Sequence, residues 1–256
     1  MPNRPPMCHE IPGAPVPGLA WNASQTAAHV VGDLREYTEA LTNHVNGYRV
    51  SDRVVDRPPW RLRAAVNARH LTAVPERDLW RLADMLEDTA VHYLAAAATI
   101  DASQPAAIAT ADGLVLEPAF MTCLLLGEQL VHGLDIARAT HQPWSIRRDD
   151  ALLVLPAVLA LAPNYLRPDR CRAVHVSFEL RLRGGPRYRM AVDDGTGVVG
   201  PAGERADCII TADPVAFLLA GYGRVSQWSQ IIRGKLRAGG RKPWLAAKFG
   251  TLLASP

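Results

Sequence analysis

The spacing of apolar residues changes character once along this chain, and that change divides it in two. Through Ala27, Val30, Val31, Leu34, Tyr37 and Leu41 the apolar side chains recur at intervals of three and four, the repeat of one helix face. At 173–183 the run Ala-Val-His-Val-Ser-Phe-Glu-Leu-Arg-Leu-Arg alternates apolar with polar, which places a half-buried strand there. A helix buries a stripe and a sheet buries a face, so each pattern needs its own core. The 256 residues are enough for two such cores. The chain is therefore expected to be an α-helical domain followed by an α+β domain.

Four helices are expected ahead of the change. The first starts near Trp21, with Asn22 or Ser24 able to cap its free backbone N–H groups. The second covers about 77–98, with Leu79, Leu82, Ala83, Leu86, Val91 and Leu94 at helical spacing. The third covers about 118–140 and the fourth about 149–161. Residues 49–60 read as a loop, and Thr110-Ala-Asp-Gly-Leu reads as a turn between short strands. Beyond Pro168, strands are expected at 173–183, 188–193, 198–199 and 207–211, with turns at Gly184-Gly-Pro and Asp194-Gly. Asp213-Pro214 opens a helix, and further helices are expected over 226–233 and 244–253. The expected divisions are a proline-rich segment over 1–20, a helical domain over 21–165 and an α+β domain over 170–256.

Composition excludes several classes. No apolar run reaches the ~18–20 residues of a membrane-spanning helix, and the proline-rich start lacks the apolar stretch of a signal peptide. A cytoplasmic protein with no membrane partner is expected. Cys8, Cys123, Cys171 and Cys208 stand far apart, which argues against a disulfide framework or a cysteine zinc site. Cys123, inside Phe-Met-Thr-Cys-Leu-Leu-Leu, reads as a core thiol. Residues 1–150 hold 13 basic and 18 acidic side chains, against 15 and 7 over 151–256. The basic end reads as a solvated surface, and no DNA-reading motif accompanies it, so no nucleic-acid partner is expected.

The chemistry concentrates in Leu-Gly-Glu-Gln-Leu-Val-His-Gly-Leu-Asp-Ile-Ala-Arg, residues 126–138. Glu128 and His132 are four apart, one turn from each other on one helix face. A carboxylate and an imidazole so placed suit zinc or another first-row divalent ion. Asp135 is three residues further and is suited to hold the imidazole tautomer. The plainer reading is a surface ion pair. Against it, Glu128 interrupts an apolar stretch, and a buried carboxylate needs a partner, either a metal or an arginine. A third ligand has to come from another helix, and His29, His44, His70 and His92 all remain open.

The segment Trp-Asn-Ala-Ser-Gln-Thr-Ala-Ala-His-Val-Val at 21–31 resembles the first motif of the mycothiol-dependent maleylpyruvate isomerase family, and 127–139 resembles its second. The resemblance implies a DinB-like four-helix bundle that binds a divalent metal, usually zinc, through His29, Glu128 and His132. Segments 178–188, 208–224 and 234–244 resemble the sterol-carrier-like domain appended in that family, so the likeness spans roughly 15–255. In the family a helix precedes the segment equivalent to 16–21, where this sequence has its proline-rich stretch. The implied activity is a mycothiol-dependent isomerase or S-transferase acting on a small electrophile. For a dicarboxylate substrate, Arg224, Arg233 and Arg237 are the candidate contacts. Two other readings stay open: a non-catalytic metalloprotein, and an apolar-ligand carrier whose C-terminal domain lines a tunnel with Phe217, Leu218, Leu219, Trp228 and Trp244.

Overall fold

A computed structural model describes residues 11–45, 59–101, 107–111 and 113–254. The loop expected over 49–60 lies almost wholly outside them, as does Cys8. The chain splits into two compact units, one from 1–54 and 64–145, the other from 55–63 and 146–256.

In the first unit, helix α1 (Ala23–Val45) packs along α3 (Leu79–Ala98) and α4 (Pro118–Ala139). Its start is closed by a reciprocal cap. Asn22 Oδ1 accepts from the Gln25 N–H at 2.9 Å, and Gln25 Oε1 accepts from the Asn22 N–H at 3.0 Å. The next free donors, the N–H groups of Ala23 and Ser24, are taken by the carbonyls of Ala14 (2.9 Å) and Pro12 (3.1 Å). Residues 12–22 thus fold back over the helix start and bury Val16. The proline-rich segment is, over this part, structural rather than a loose lead.

Helix α2 (Pro59–Ala73) is an element the periodicity does not predict. It brings Leu71 and, just past its end, Val74 into a cluster with Ala28, Val31 and Leu82. Strands β1 (Ile108–Ala109) and β2 (Val115–Leu116) pair antiparallel around the expected turn.

The second unit is built on a five-stranded sheet, ordered β5 (Thr196–Pro201), β4 (Arg187–Asp193), β3 (His175–Leu182), β6 (Cys208–Ala212) and β7 (Leu236–Gly239). All neighbours are antiparallel except β3 and β6, which run parallel. The alternation read at 173–183 becomes burial of Val176, Phe178 and Leu180 on one face. They join Met190, Val192, Cys208 and Ile210 in one core.

Helix α5 (Arg148–Leu161), expected to close the helical domain over 21–165, belongs to the second unit. It packs against β5 and against α7 (Pro214–Gly221), and its Leu159 enters the sheet core. The last crossing of the chain between units falls between 145 and 146. An apolar stripe identifies a helix but does not say which core receives it. Among the described residues, the helices of the first unit are therefore α1, α3, α4 and the greater part of α2, rather than the set ending in α5 that the periodicity leads one to expect.

Short helices α6 (Pro168–Cys171), α8 (Gln227–Ile232) and α9 (Ala246–Leu252) complete the second unit. Phe217 sits beside Phe249 at 6.0 Å between ring centroids, and Leu218 is buried. Trp228 and Trp244, expected to line a tunnel, are 58% and 67% exposed and so lie on the surface. Among the described residues, no helix is long and apolar enough to cross a membrane.

Candidate metal centre

Glu128 and His132 stand one turn apart on α4, and the His132 Nε2 lies 3.1 Å from Glu128 Oε2. From α1, His29 Nε2 approaches the same oxygen at 3.6 Å. One ligand atom from each of the three residues falls within 4.8 Å of the other two. Both imidazoles are buried, and the Glu128 side chain is 16% exposed. The two rings meet edge to face at 5.1 Å, and Trp21 packs against both, at 5.0 Å from His29 and 6.5 Å from His132. Two imidazole nitrogens and a carboxylate oxygen form the donor set that zinc and its first-row neighbours prefer.

Asp135 is fully buried and its Oδ2 lies 3.0 Å from His132 Nδ1. Once the ring is neutral, with its Nδ1–H donating to Asp135, the Nε2 lone pair faces Glu128 and His29.

The two histidines respond oppositely to their surroundings. Burial lowers the His29 pKa, and the pull of Glu128 and Asp33 upward does not make up for it, with His132 opposing protonation as well. Burial also acts downward on His132, but hydrogen bonds to Asp135 and Glu128 outweigh it and push the group up to about 9. The difference follows from partners: His132 has a carboxylate at each ring nitrogen, whereas His29 meets Glu128 only at the longer distance.

The structure thus brings together His29, Glu128, His132 and Asp135. His44 and His92 are exposed, and His92 Nδ1 lies 2.8 Å from the Asp88 carbonyl. His70 on α2 is buried against His29 instead, with their rings stacked at 5.3 Å. Its Nδ1 is 3.2 Å from His29 Nδ1, and its Nε2 is 2.8 Å from Glu36 Oε2. Trp21 entered the sequence reading only as the start of the first helix and motif, and Asp33 and Glu36 escaped it. Their signal was available, because positions 29, 33 and 36 fall on one face of a helix whose neighbouring positions are apolar.

Of the remaining candidates, Arg224 donates to the Tyr222 carbonyl at 2.6 Å, and Arg233 and Arg237 are exposed. All three belong to the second unit. Cys123 is half-buried, with its thiol pushed up by desolvation, in keeping with a packing role.

No family model and no curated protein matches the chain. Among solved structures, a point mutant of the mycothiol-dependent maleylpyruvate isomerase matches 91% of this chain and 84% of its own, at 11% identity and a TM-score of 0.53. A second structure of that isomerase matches 86% and 78%, at 13% identity and a TM-score of 0.47. Sterol Carrier Protein 2 Like 2 from Aedes aegypti matches 40% of this chain and 96% of its own, at 16% identity and a TM-score of 0.33. The first of these shows that the chain shares the fold of the mycothiol-dependent maleylpyruvate isomerase, the fold that its two helical motifs and C-terminal segments imply.

Proposed function

We propose that the protein is a metal-dependent, mycothiol-dependent isomerase or S-transferase acting on a small electrophile. The observation that carries this reading is the meeting of His29, Glu128 and His132 from two helices, within 4.8 Å, inside a fold shared with a mycothiol-dependent isomerase. A bound divalent ion, most naturally zinc, would supply a Lewis acid that keeps a thiol in its thiolate form at neutral pH. His29, Glu128 and His132 would hold it, and three protein ligands are the number found where a coordination position is kept for a reactant. Asp135 keeps the His132 Nε2 lone pair directed into the site. Trp21 shields the two imidazoles from water and so lowers the local dielectric.

Addition of mycothiol sulfur to a cis double bond, rotation and elimination would give isomerisation, and transfer of the sulfur without elimination would give an S-conjugate. Both need the same thiolate. A cytoplasmic location fits a low-molecular-weight thiol as partner.

The test is turnover of maleylpyruvate and of simple electrophiles by the zinc-loaded full-length protein with mycothiol. The reading expects thiol-dependent turnover that disappears in a chelator-stripped sample and returns with zinc. Equal rates with and without metal would overturn it.

A further inference from the structure

We infer that His70, backed by Glu36, is a positioning residue that selects the metal-competent tautomer of His29; this rests on the metal reading above. The three side chains form a buried line from α1 to α2 and back: His29 Nδ1 to His70 Nδ1 at 3.2 Å, then His70 Nε2 to Glu36 Oε2 at 2.8 Å. His29 is 1% exposed and His70 5%. Nothing in the sequence motifs assigns a role to either Glu36 or His70.

Proton bookkeeping along this line has one consistent solution when both imidazoles are neutral. Each neutral ring carries one N–H and one lone pair. The Glu36 carboxylate only accepts, so the nitrogen facing it, His70 Nε2, carries the hydrogen. His70 Nδ1 is then a lone pair, and the facing His29 Nδ1 must donate to it. That leaves the His29 Nε2 lone pair directed toward Glu128 and His132, where a metal ligand needs it. The opposite assignment sets two acceptors against each other at 2.8 Å and turns an N–H into the metal site. Unmade or opposed hydrogen bonds between buried groups cost more than the bond itself is worth.

The backbone is shaped for this contact. A Cβ on Gly32 would stand 2.5 Å from the Cβ of His70 and 3.1 Å from its Cα, so only a bare residue lets α2 bring His70 against α1. The design mirrors the other imidazole: His132 Nδ1 is held directly by Asp135, and His29 Nδ1 is held by a carboxylate acting through a second ring.

The experiment is chelator competition for zinc on the full chain, with cobalt(II) absorption as a report on ligand geometry. The variants are His70→Leu, His70→Asn and Glu36→Gln. Loss of an outer partner of a ligating histidine weakens metal binding about 10–100-fold, so His70→Leu should bind that much more weakly and shift the cobalt bands. His70→Asn should recover most of the loss, because its Oδ1 stands near the place of Nδ1 and accepts from His29. Glu36→Gln should fall between them. If His70→Leu does not fold, Glu36→Gln binding more weakly than His70→Asn supports the inference. Wild-type zinc binding with the folded variants within twofold of it overturns this inference alone. A wild type that takes up no zinc overturns the metal reading, and this inference with it.

Discussion

Glu128 is shared by two histidines and interrupts the apolar run of α4, and that arrangement dictates how the site responds to pH. In the metal-free protein His132 is held well above the ordinary histidine value, at about 9. A group whose folded pKa is raised contributes stability that is complete below its unfolded value of about 6.5 and is lost as pH rises through the folded one. The melting temperature of the metal-free protein should therefore fall between roughly pH 6.5 and 9 through this group. Metal binding must release the same proton, so apparent zinc affinity should climb over that window. Competition titrations at three pH values check this, and a flat profile would contradict it. Asp135→Asn keeps the shape but gives up the carboxylate at His132 Nδ1. Zinc affinity should drop about 10–100-fold, with far-UV circular dichroism unchanged.

At the scale of elements, the position of α2 relative to α1 depends on Gly32. Alanine in a helix is ordinarily favoured over glycine by ~1 kcal/mol. Here the added methyl would meet the rigid base of His70 at 2.5 Å, and overpacking costs about 1–3 kcal/mol. The clash should win, so Gly32→Ala should lower the melting temperature, and a rise would show that α2 moves freely. Gly133 stands in the same relation to Trp144, whose indole N–H donates to the Leu130 carbonyl at 3.1 Å and closes over α4.

These contacts also explain what could be read in advance. Helices α1, α3 and α4 announce themselves because each carries an apolar stripe, and β3 because it alternates. Helix α2 does not, because its buried face includes His70, which is satisfied by a ring nitrogen and a carboxylate rather than by apolar neighbours. Glu128, His132 and Asp135 are legible because one helix sets their spacing. His29 lies almost a hundred positions away. Helical periodicity carries no information about which other helix faces it, and only the resemblance of 21–31 to a family motif chose it over His44, His70 and His92. The strand β7 escaped because Leu236–Gly239 contains one buried apolar residue, too few to show alternation.

For the whole molecule, the proposed ligands all lie in the unit formed by 1–54 and 64–145. A ligand that binds only the folded state stabilises it by about 2.7 kcal/mol at a hundredfold excess over Kd. Zinc should therefore slow amide hydrogen exchange in α1 and α4 and leave the β3–β6 ladder of the other unit unchanged. Equal protection in both would mean that the ion binds elsewhere or that the units unfold as one.

The central claim is that His29, Glu128 and His132 form one metal site, and metal content measures it most directly. Purified protein, reconstituted with zinc and desalted, should hold about one equivalent, the stoichiometry expected of a single three-ligand site. His29→Ala and Glu128→Ala should each lose it while keeping the wild-type circular dichroism spectrum. A wild type without zinc after reconstitution, or folded variants that retain a full equivalent, would contradict the account.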